Sequence, residues 1–518
     1  MSGVQDWLTQ DYDVIVCGSG SAGSVVARRL SDNPDLKVLL VEAGGDDHRP
    51  SIVEPGRWPE NLGSDVDWGF MAEPGAHIDN RSIPMSMGKV FGGGSSINVM
   101  IWARGHRRDW DHYAKVSGDP GWSYESVLGI YRRIEDYRGP MDFQRRGAGG
   151  LVTVTQSSDP HPVASALVGA AADVGIPTFE SPNGEMMESP AGAALSDVRL
   201  NDGRRLSVFA SYIRPVLDRA NLAVVKGVRV RRVLFDGVRA TGIEVDVGGS
   251  VHALRATSQV VLSTGAINTP KILMLSGIGD RATLASHGIT TLRHLPGVGQ
   301  GLQDHTNFPM VWAHPEAIHP RANGSEATIY ANTAAASEGP NVVMCQAEFP
   351  LCSPELAQRG APEHGWSLVA GLSQPKSRGR VLLSSADPDA APIIHLDALS
   401  DPEDRAVARA MVGLAEQIGA AQPLARIGAR EAVSPRALGL SVDAFIQQSA
   451  LPFWHQSCTA RMGVDANSVV GGDLKVHGVE NLTIADASIL PRIPAGNTMA
   501  PCVIIGERAG EILSGELG

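Results

Sequence analysis

The chain has 518 residues, 43% of them hydrophobic and 19% charged, with 58 Gly and 33 Pro. At about 100 to 200 residues per domain this is enough for two or more structural units, and the balance excludes a coiled coil, a disordered chain and a collagen-like repeat. Lys and Arg number 44 against 56 Asp and Glu, a formal charge of −12. Without a long basic run to follow a phosphate backbone, no nucleic-acid partner is expected.

The cysteines, Cys17, Cys345, Cys352, Cys458 and Cys502, are odd in number and scattered. That pattern builds neither a metal site nor a disulfide framework and fits a reducing compartment. The opening MSGVQDWLTQDYD lacks the basic and apolar regions of a secretory signal, and no apolar run reaches the length of a membrane span. A cytoplasmic protein without a membrane span is expected, as monomer or homodimer.

Taken in chain order, Asp13–Cys17 reads as a short strand. It runs into Gly18-Ser19-Gly20-Ser21-Ala22-Gly23 and then into a helical segment, SVVARRL, before a second strand, Val38–Val41, that ends in Glu42. Strand, glycine turn, helix, strand and acid together form a dinucleotide-binding βαβ unit. The three glycines serve a tight turn, close approach of a pyrophosphate and close helix-to-strand packing, while the helix amino terminus faces the anion. Glu42 suits a ribose diol and disfavours a 2′-phosphate, so FAD or NAD is implied.

Farther on, Gly88–Asn98 is too rich in glycine for a strand interior and reads as a buried, closely fitted loop. Leu222–Val245 alternates as strands do, with a hairpin turn at Asp236-Gly237, and Val260–Ser263 is another strand. From about residue 306 to 450 the character changes to a Pro- and Ala-rich loop region, a strand over Asn341–Phe349, the run RVLLSS at Arg380 and a helix near Asp404–Ile418. After Leu451 the chain returns to short β runs, Leu482–Ile484 among them, and ends in a helix over Ala500–Leu513.

Several segments carry a resemblance that spans nearly the whole chain. Gly88-Lys89-Val90-Phe91-Gly92-Gly93-Gly94-Ser95-Ser96-Ile97-Asn98, Gly265 to Gly279, Leu295 to His305 and Asp486 to Pro491 resemble the signatures of the glucose-methanol-choline (GMC) oxidoreductases, a family of FAD enzymes. The resemblance implies an α/β fold, with a Rossmann-like FAD-binding domain (1–150, 195–308 and 450–518) and an inserted α+β substrate domain on an antiparallel sheet (151–194 and 309–449). Cofactor contacts are expected from Gly18, Gly20, Ser21, Gly23, Glu42, Gly92, Ser95, Asn98, Val230, Asp486, Ala487, Thr498 and Met499. Ile97 stands where some members carry a His bonded to the flavin, so the FAD is expected to be dissociable.

Alcohol oxidation by a flavin needs a base for the hydroxyl proton, a hydride acceptor and a polar group for the alkoxide oxygen. By the family pattern His455 matches the base and Asn497 its partner. Gln456 and Cys458 depart from the Pro and Gly common after that His, which bears on the loop shape, and Cys458 has no base to make it a nucleophile. The last helix is expected to direct its positive end toward the flavin. His305 and His477 read as structural.

Period-two alternation puts Met344, Gln346 and Glu348 on one face, expected to form the substrate wall with Phe453 and Trp454, and with Trp312 and Trp366 in the same domain. The expected substrate is an uncharged primary alcohol, aromatic ones included, oxidised to the carbonyl with electrons passed to O2, giving H2O2, or to a quinone or other acceptor. The alternative is a lyase of hydroxynitrile type on the same scaffold, without flavin turnover.

Overall fold

The computed structural model describes residues 6–333 and 339–517. β1 (Tyr12–Cys17) is buried along almost its whole length, as a strand covered on both faces must be, and three of its six side chains are β-branched. A glycine turn leads into α1 (Gly23–Leu30), which buries Val25, Val26 and Leu30 and carries Arg28 and Arg29 in its last turn, where cations suit the helix dipole. β2 (Val38–Val41) then pairs with β1 in parallel, Val14 beside Val38 and Cys17 beside Val41. This is the expected βαβ unit.

β3 (Leu222–Val225) extends the parallel sheet beyond β2. β4 (Val228–Asp236) and β5 (Arg239–Val247) form the expected hairpin. A second hairpin follows through Gly248 and Gly249, both at positive φ, into β6 (Ser250–Leu262), far longer than the four-residue strand expected from the sequence. The first half of β6 pairs antiparallel with β5 and its second half lies parallel to β1, so one strand joins the hairpin ribbon to the nucleotide sheet. α2 (Gly265–Leu275) follows directly.

The second sheet departs most from the sequence reading. The region read as loop begins with β7 (Thr306–Ala313) and β8 (Ala327–Ala331), and β9 (Val342–Ala347) and β10 (Gly365–Leu372) complete the centre of an antiparallel sheet. Its order is Arg430–Val433, β7, β10, β9, β8 and Gly192–Leu195. Pro309 is what disguises β7, because a residue without an N–H argues against a central strand. The structure accommodates it in a gap. On its outer side β7 pairs with Leu451–Pro452 at Thr306 and Asn307, and with Arg430–Val433 only from Val311 onward, so Pro309 faces no ladder partner there.

α3 (Pro402–Ala420) and the helix Pro162–Asp173 pack into the core on one face of this sheet, among side chains such as Met344, Leu368 and Met411. Trp312 and Trp366 stack in that same core, with ring centroids 4.6 Å apart, and the Trp312 ring lies so close to Gly419 that a Cβ there would sit 2.1 Å from it. They are core aromatics rather than part of a substrate wall.

The chain then returns to the first sheet. β11 (Leu482–Ile484) runs parallel to β6, and α4 (Met499–Leu517) crosses α1. Gly506 and Gly510 permit the approach: a Cβ on either would lie 2.7 Å from α1 or the residue before it. Between them Glu507, fully buried, accepts hydrogen bonds from Nε and Nη2 of Arg29 and from the Tyr212 hydroxyl, each at 2.9 Å. Among the described residues no helix is long and apolar enough to cross a membrane.

Candidate active site

The glycine turn divides its tasks among its residues. Gly18 has φ of +97°, and a Cβ there would meet the Ser263 carbonyl oxygen at 2.4 Å, while a Cβ on Gly23 would lie 1.9 Å from the Gly18 carbonyl oxygen. These two serve the turn and the helix-to-strand contact. Gly20 is different: a Cβ there would have no atom within 4 Å and would face open space at the wall of a cavity. At the tip of β2, the Glu42 carboxylate accepts from the Ser19 N–H (3.0 Å), the Ser19 hydroxyl (2.7 Å) and the Gly44 N–H (2.8 Å). Burial pushes its pKa up against these bonds.

The cavity, of about 690 Å³, runs from this turn to the middle of the molecule. Gly18, Gly20, Ser21, Glu42 and Val230 border it, as do Asn98, Asp486, Ala487, Thr498, Met499, His455 and Asn497. Gly23, Gly92 and Ser95 are not on its wall. Gly92, at φ of +88°, and Ser95, whose hydroxyl donates to the Gly92 carbonyl at 2.7 Å and accepts from the Val208 N–H at 3.0 Å, shape the loop from behind. The loop closes in one helical turn, Gly94–Ile97, which the glycine content concealed. A cavity bordered by a bare Gly20 and by the adjoining backbone of Gly93 and Gly94 fits a flavin dinucleotide. Asp486 steadies the base of the site, accepting from the Gly265 N–H (2.9 Å), the Thr269 hydroxyl (2.6 Å) and the Ser488 N–H (2.9 Å).

One residue behind this wall was not legible in the sequence. Arg205 is buried beneath the loop and fixes Asn98 from two sides, donating to its side-chain oxygen at 2.8 Å and to its carbonyl at 2.6 Å. Asn98 also accepts from the Met100 N–H at 2.9 Å, and its amide nitrogen lies 3.2 Å from the Met499 sulfur at the start of α4.

Across the cavity His455 sits in an irregular segment held by its neighbours. Phe453 N–H donates to the His305 carbonyl at 2.9 Å, His455 N–H to the Asp304 carboxylate at 2.8 Å and Ser457 N–H to the Gln303 carbonyl at 3.0 Å. Two non-glycine residues take left-handed conformations here, Trp454 (φ +59°) and Cys458 (φ +74°), each at a cost of about 1 to 3 kcal/mol. Cys458 thus keeps the backbone shape that glycine would favour. Its sulfur lies 3.4 Å from both the Gln303 amide oxygen and the Ser457 hydroxyl, and burial raises its pKa, as suits an inert thiol.

The imidazole tautomers follow from the hydrogen bonds. Nε2 of His305 lies 3.1 Å from the Pro494 carbonyl, which can only accept, so that nitrogen carries the proton. Nδ1 of His305 is then the acceptor in its 2.9 Å contact with Nδ1 of His455. His455 must hold its proton on Nδ1, leaving the Nε2 lone pair toward the cavity, where the Asn497 amide nitrogen lies 3.2 Å away. Burial pushes the His305 pKa down to about 4, and burial, followed by repulsion from His305 should both rings protonate, holds His455 well below its ordinary value. His305, read as structural from sequence, therefore sets the tautomer of His455. Phe453 stacks on the His455 ring with centroids 5.7 Å apart.

The sheet wall opposite is the face that carries Val343, Cys345 and Ala347, with Val369 and Thr328 beside them. Met344, Gln346 and Glu348 do share a face, but it is the other one. Gln346 touches the cavity margin while its amide is engaged by the Ala327 N–H at 2.9 Å and by Glu348 at 3.4 Å. Trp454 borders the cavity and donates from its ring nitrogen to the Pro84 carbonyl at 3.3 Å.

Comparison with known proteins identifies the family. The GMC oxidoreductase family models match residues 12–307 and 375–506. An oxygen-dependent choline dehydrogenase of Brucella anthropi is 35% identical over 98% of this chain and 96% of its own length. An uncharacterised GMC-type oxidoreductase of Mycobacterium bovis is 36% identical over 97% and 99%. The crystal structure of pyridoxine 4-oxidase from Mesorbium loti superposes with a TM-score of 0.90 at 31% identity, covering 96% of this chain and 98% of that one. With both ends of the sequence and both sheets of the fold in agreement, the chain belongs to the GMC oxidoreductase family and is an FAD-dependent oxidoreductase.

Proposed function

We propose that the protein oxidises an uncharged primary alcohol to the carbonyl, with O2 as electron acceptor and dissociable FAD as cofactor. The observation that carries this reading is the unprotonated Nε2 of His455, facing the cavity beside the Asn497 amide. When bound, FAD supplies the hydride acceptor. A substrate hydroxyl seated between the two side chains gives its proton to Nε2, and the Asn497 N–H that now points at Nε2 turns to the oxygen as it gains negative charge. Asp304 fixes the His455 backbone and His305 keeps the imidazole from rotating, so the base meets the hydroxyl in one orientation. Ile97, on the cavity wall, has no nucleophilic atom with which to bond a flavin.

The substrate class follows from the wall. Val343, Cys345, Ala347 and Val369 come from the sheet, with Phe349, Leu351 and Phe453 nearby, and none is charged. The acids and bases that border the cavity, Glu42, Glu73, Arg229, Arg231, Lys271, Asp389 and Asp486, come from the nucleotide unit and the segments over it. A neutral or aromatic hydroxymethyl compound suits such a wall, and a quaternary ammonium alcohol finds no sheet carboxylate to pair with. Asn497→Ala is expected to cost about 2 to 4 kcal/mol in transition-state stabilisation, read as kcat/KM with the FAD content unchanged.

The test is to mix the purified protein anaerobically with benzyl-type alcohols, pyridoxine, aliphatic alcohols and choline, follow the flavin absorption, and then admit air. Bleaching by a neutral alcohol and rapid return of the yellow band in air are expected. Bleaching by choline alone would overturn the substrate class, and slow return would point to an acceptor other than O2. A flavin unchanged by every alcohol would favour the lyase reading.

A further inference from the structure

Arg205 is a buried cation with no anion to match it. It is 7% exposed, and its guanidinium donates to the carbonyls of Ile52 (2.6 Å), Ser95 (3.2 Å) and Asn98 (2.6 Å) and to the Asn98 side-chain oxygen (2.8 Å). All four acceptors are neutral. Among the described residues no carboxylate pairs with it and no charged group perturbs it. Two other buried arginines are treated differently, Arg104 pairing with Glu135 and Arg146 with Glu135 and Asp197. Arg199, bonded to the Thr153 carbonyl and the Ser211 hydroxyl, also has no carboxylate on it among the described residues, but it lies away from the Gly92–Asn98 loop contacts. Leaving a desolvated guanidinium without a counter-charge is costly, and the fold places this one directly behind a wall of the cofactor cavity.

Because every bond ends on backbone or on Asn98, the charge cannot move away from that wall. The guanidinium is held by the Ser95 and Asn98 carbonyls of the Gly92–Asn98 loop, so the geometry is pre-organised before any cofactor enters. What such a site lacks is negative charge on the far side of the loop. A flavin ring lying there gains negative charge when it is reduced, and a fixed cation in a low-dielectric setting favours that state.

We propose that Arg205 is a positioning residue for Asn98 that also raises the reduction potential of the bound flavin, through a fixed positive charge behind the Gly93–Asn98 wall. This rests on the reading that the flavin ring lies against that wall. Of the two adjacent arginines in Gly203-Arg204-Arg205-Leu206, Arg204 is exposed while Arg205 turns inward.

The test is a spectroelectrochemical titration of the purified flavoprotein and of Arg205→Met and Arg205→Lys. At the wild-type midpoint, the reduced-to-oxidised ratio of Arg205→Met is expected to fall about tenfold or more, about 30 mV for a two-electron couple, while Arg205→Lys stays within about threefold. Arg205→Met holding FAD at the wild-type potential would overturn the proposal. Equal falls in Met and Lys would overturn the role of charge. Should Arg205→Met fail to retain FAD, Arg205→Gln keeps a donor for the loop carbonyls while removing the charge. A similar tenfold fall there supports the proposal and an unshifted potential overturns it. A wild-type flavin that titrates normally but is bleached by no alcohol would count against the proposed reaction, and the potentials of the variants would still decide the role of Arg205.

Discussion

Replacing His455 by Ala is expected to leave FAD bound and to slow alcohol oxidation by about 10³- to 10⁴-fold. The imidazole borders the cavity and its ring contacts are to His305, Asn497 and Phe453, so its loss does not touch the nucleotide turn. What disappears is a neutral nitrogen whose lone pair faces the cavity, set there by the Pro494–His305–His455 chain of hydrogen bonds. Stopped-flow flavin reduction under anaerobic conditions measures this directly; an undiminished single-turnover rate would remove His455 as the base.

The same chain predicts the pH profile. A base works in its unprotonated form, present above its pKa, and burial with the neighbouring His305 lowers the His455 pKa well below the ordinary 6.5. Lowering the pKa extends the active form toward acid, so kcat/KM is expected to stay level through neutrality and to fall only below pH 6.5. A midpoint at or above the ordinary histidine value would mean that His455 is more exposed or more acid-paired than its contacts indicate.

Gly20→Val and Gly23→Ala are expected to fail in opposite ways. At Gly20 the first added carbon meets no protein atom, since the Cβ position has nothing within 4 Å. The variant should therefore fold with near wild-type thermal stability and be colourless, its side chain occupying the space of the pyrophosphate. At Gly23 the Cβ would lie 1.9 Å from a backbone oxygen that cannot move without breaking the turn. That variant should lose stability by about 1 to 3 kcal/mol or more, measured by denaturant unfolding. A fully yellow Gly20→Val would sink the phosphate-loop reading.

What the sequence by itself determined is local and periodic. The run from β1 through the glycine turn to Glu42 needs only strand, turn and helix chemistry within about thirty residues, and it was legible for that reason. His455 and Asn497 were legible through motifs, and they meet across the cavity at 3.2 Å although 42 residues separate them. The tertiary structure decided the rest. Pro309 hides a strand whose N–H-free position is tolerated only because two short neighbours leave a gap beside it. Alternation put Met344, Gln346 and Glu348 on one face but could not say which face, because helices cover one side and the cavity the other. His305 and Arg205 carry nothing in their own neighbourhoods that reveals a partner; one acts on a residue 150 positions away and the other on one 107 away. Tautomers and uncompensated charges are properties of surroundings, and those surroundings exist only once distant segments have been folded together.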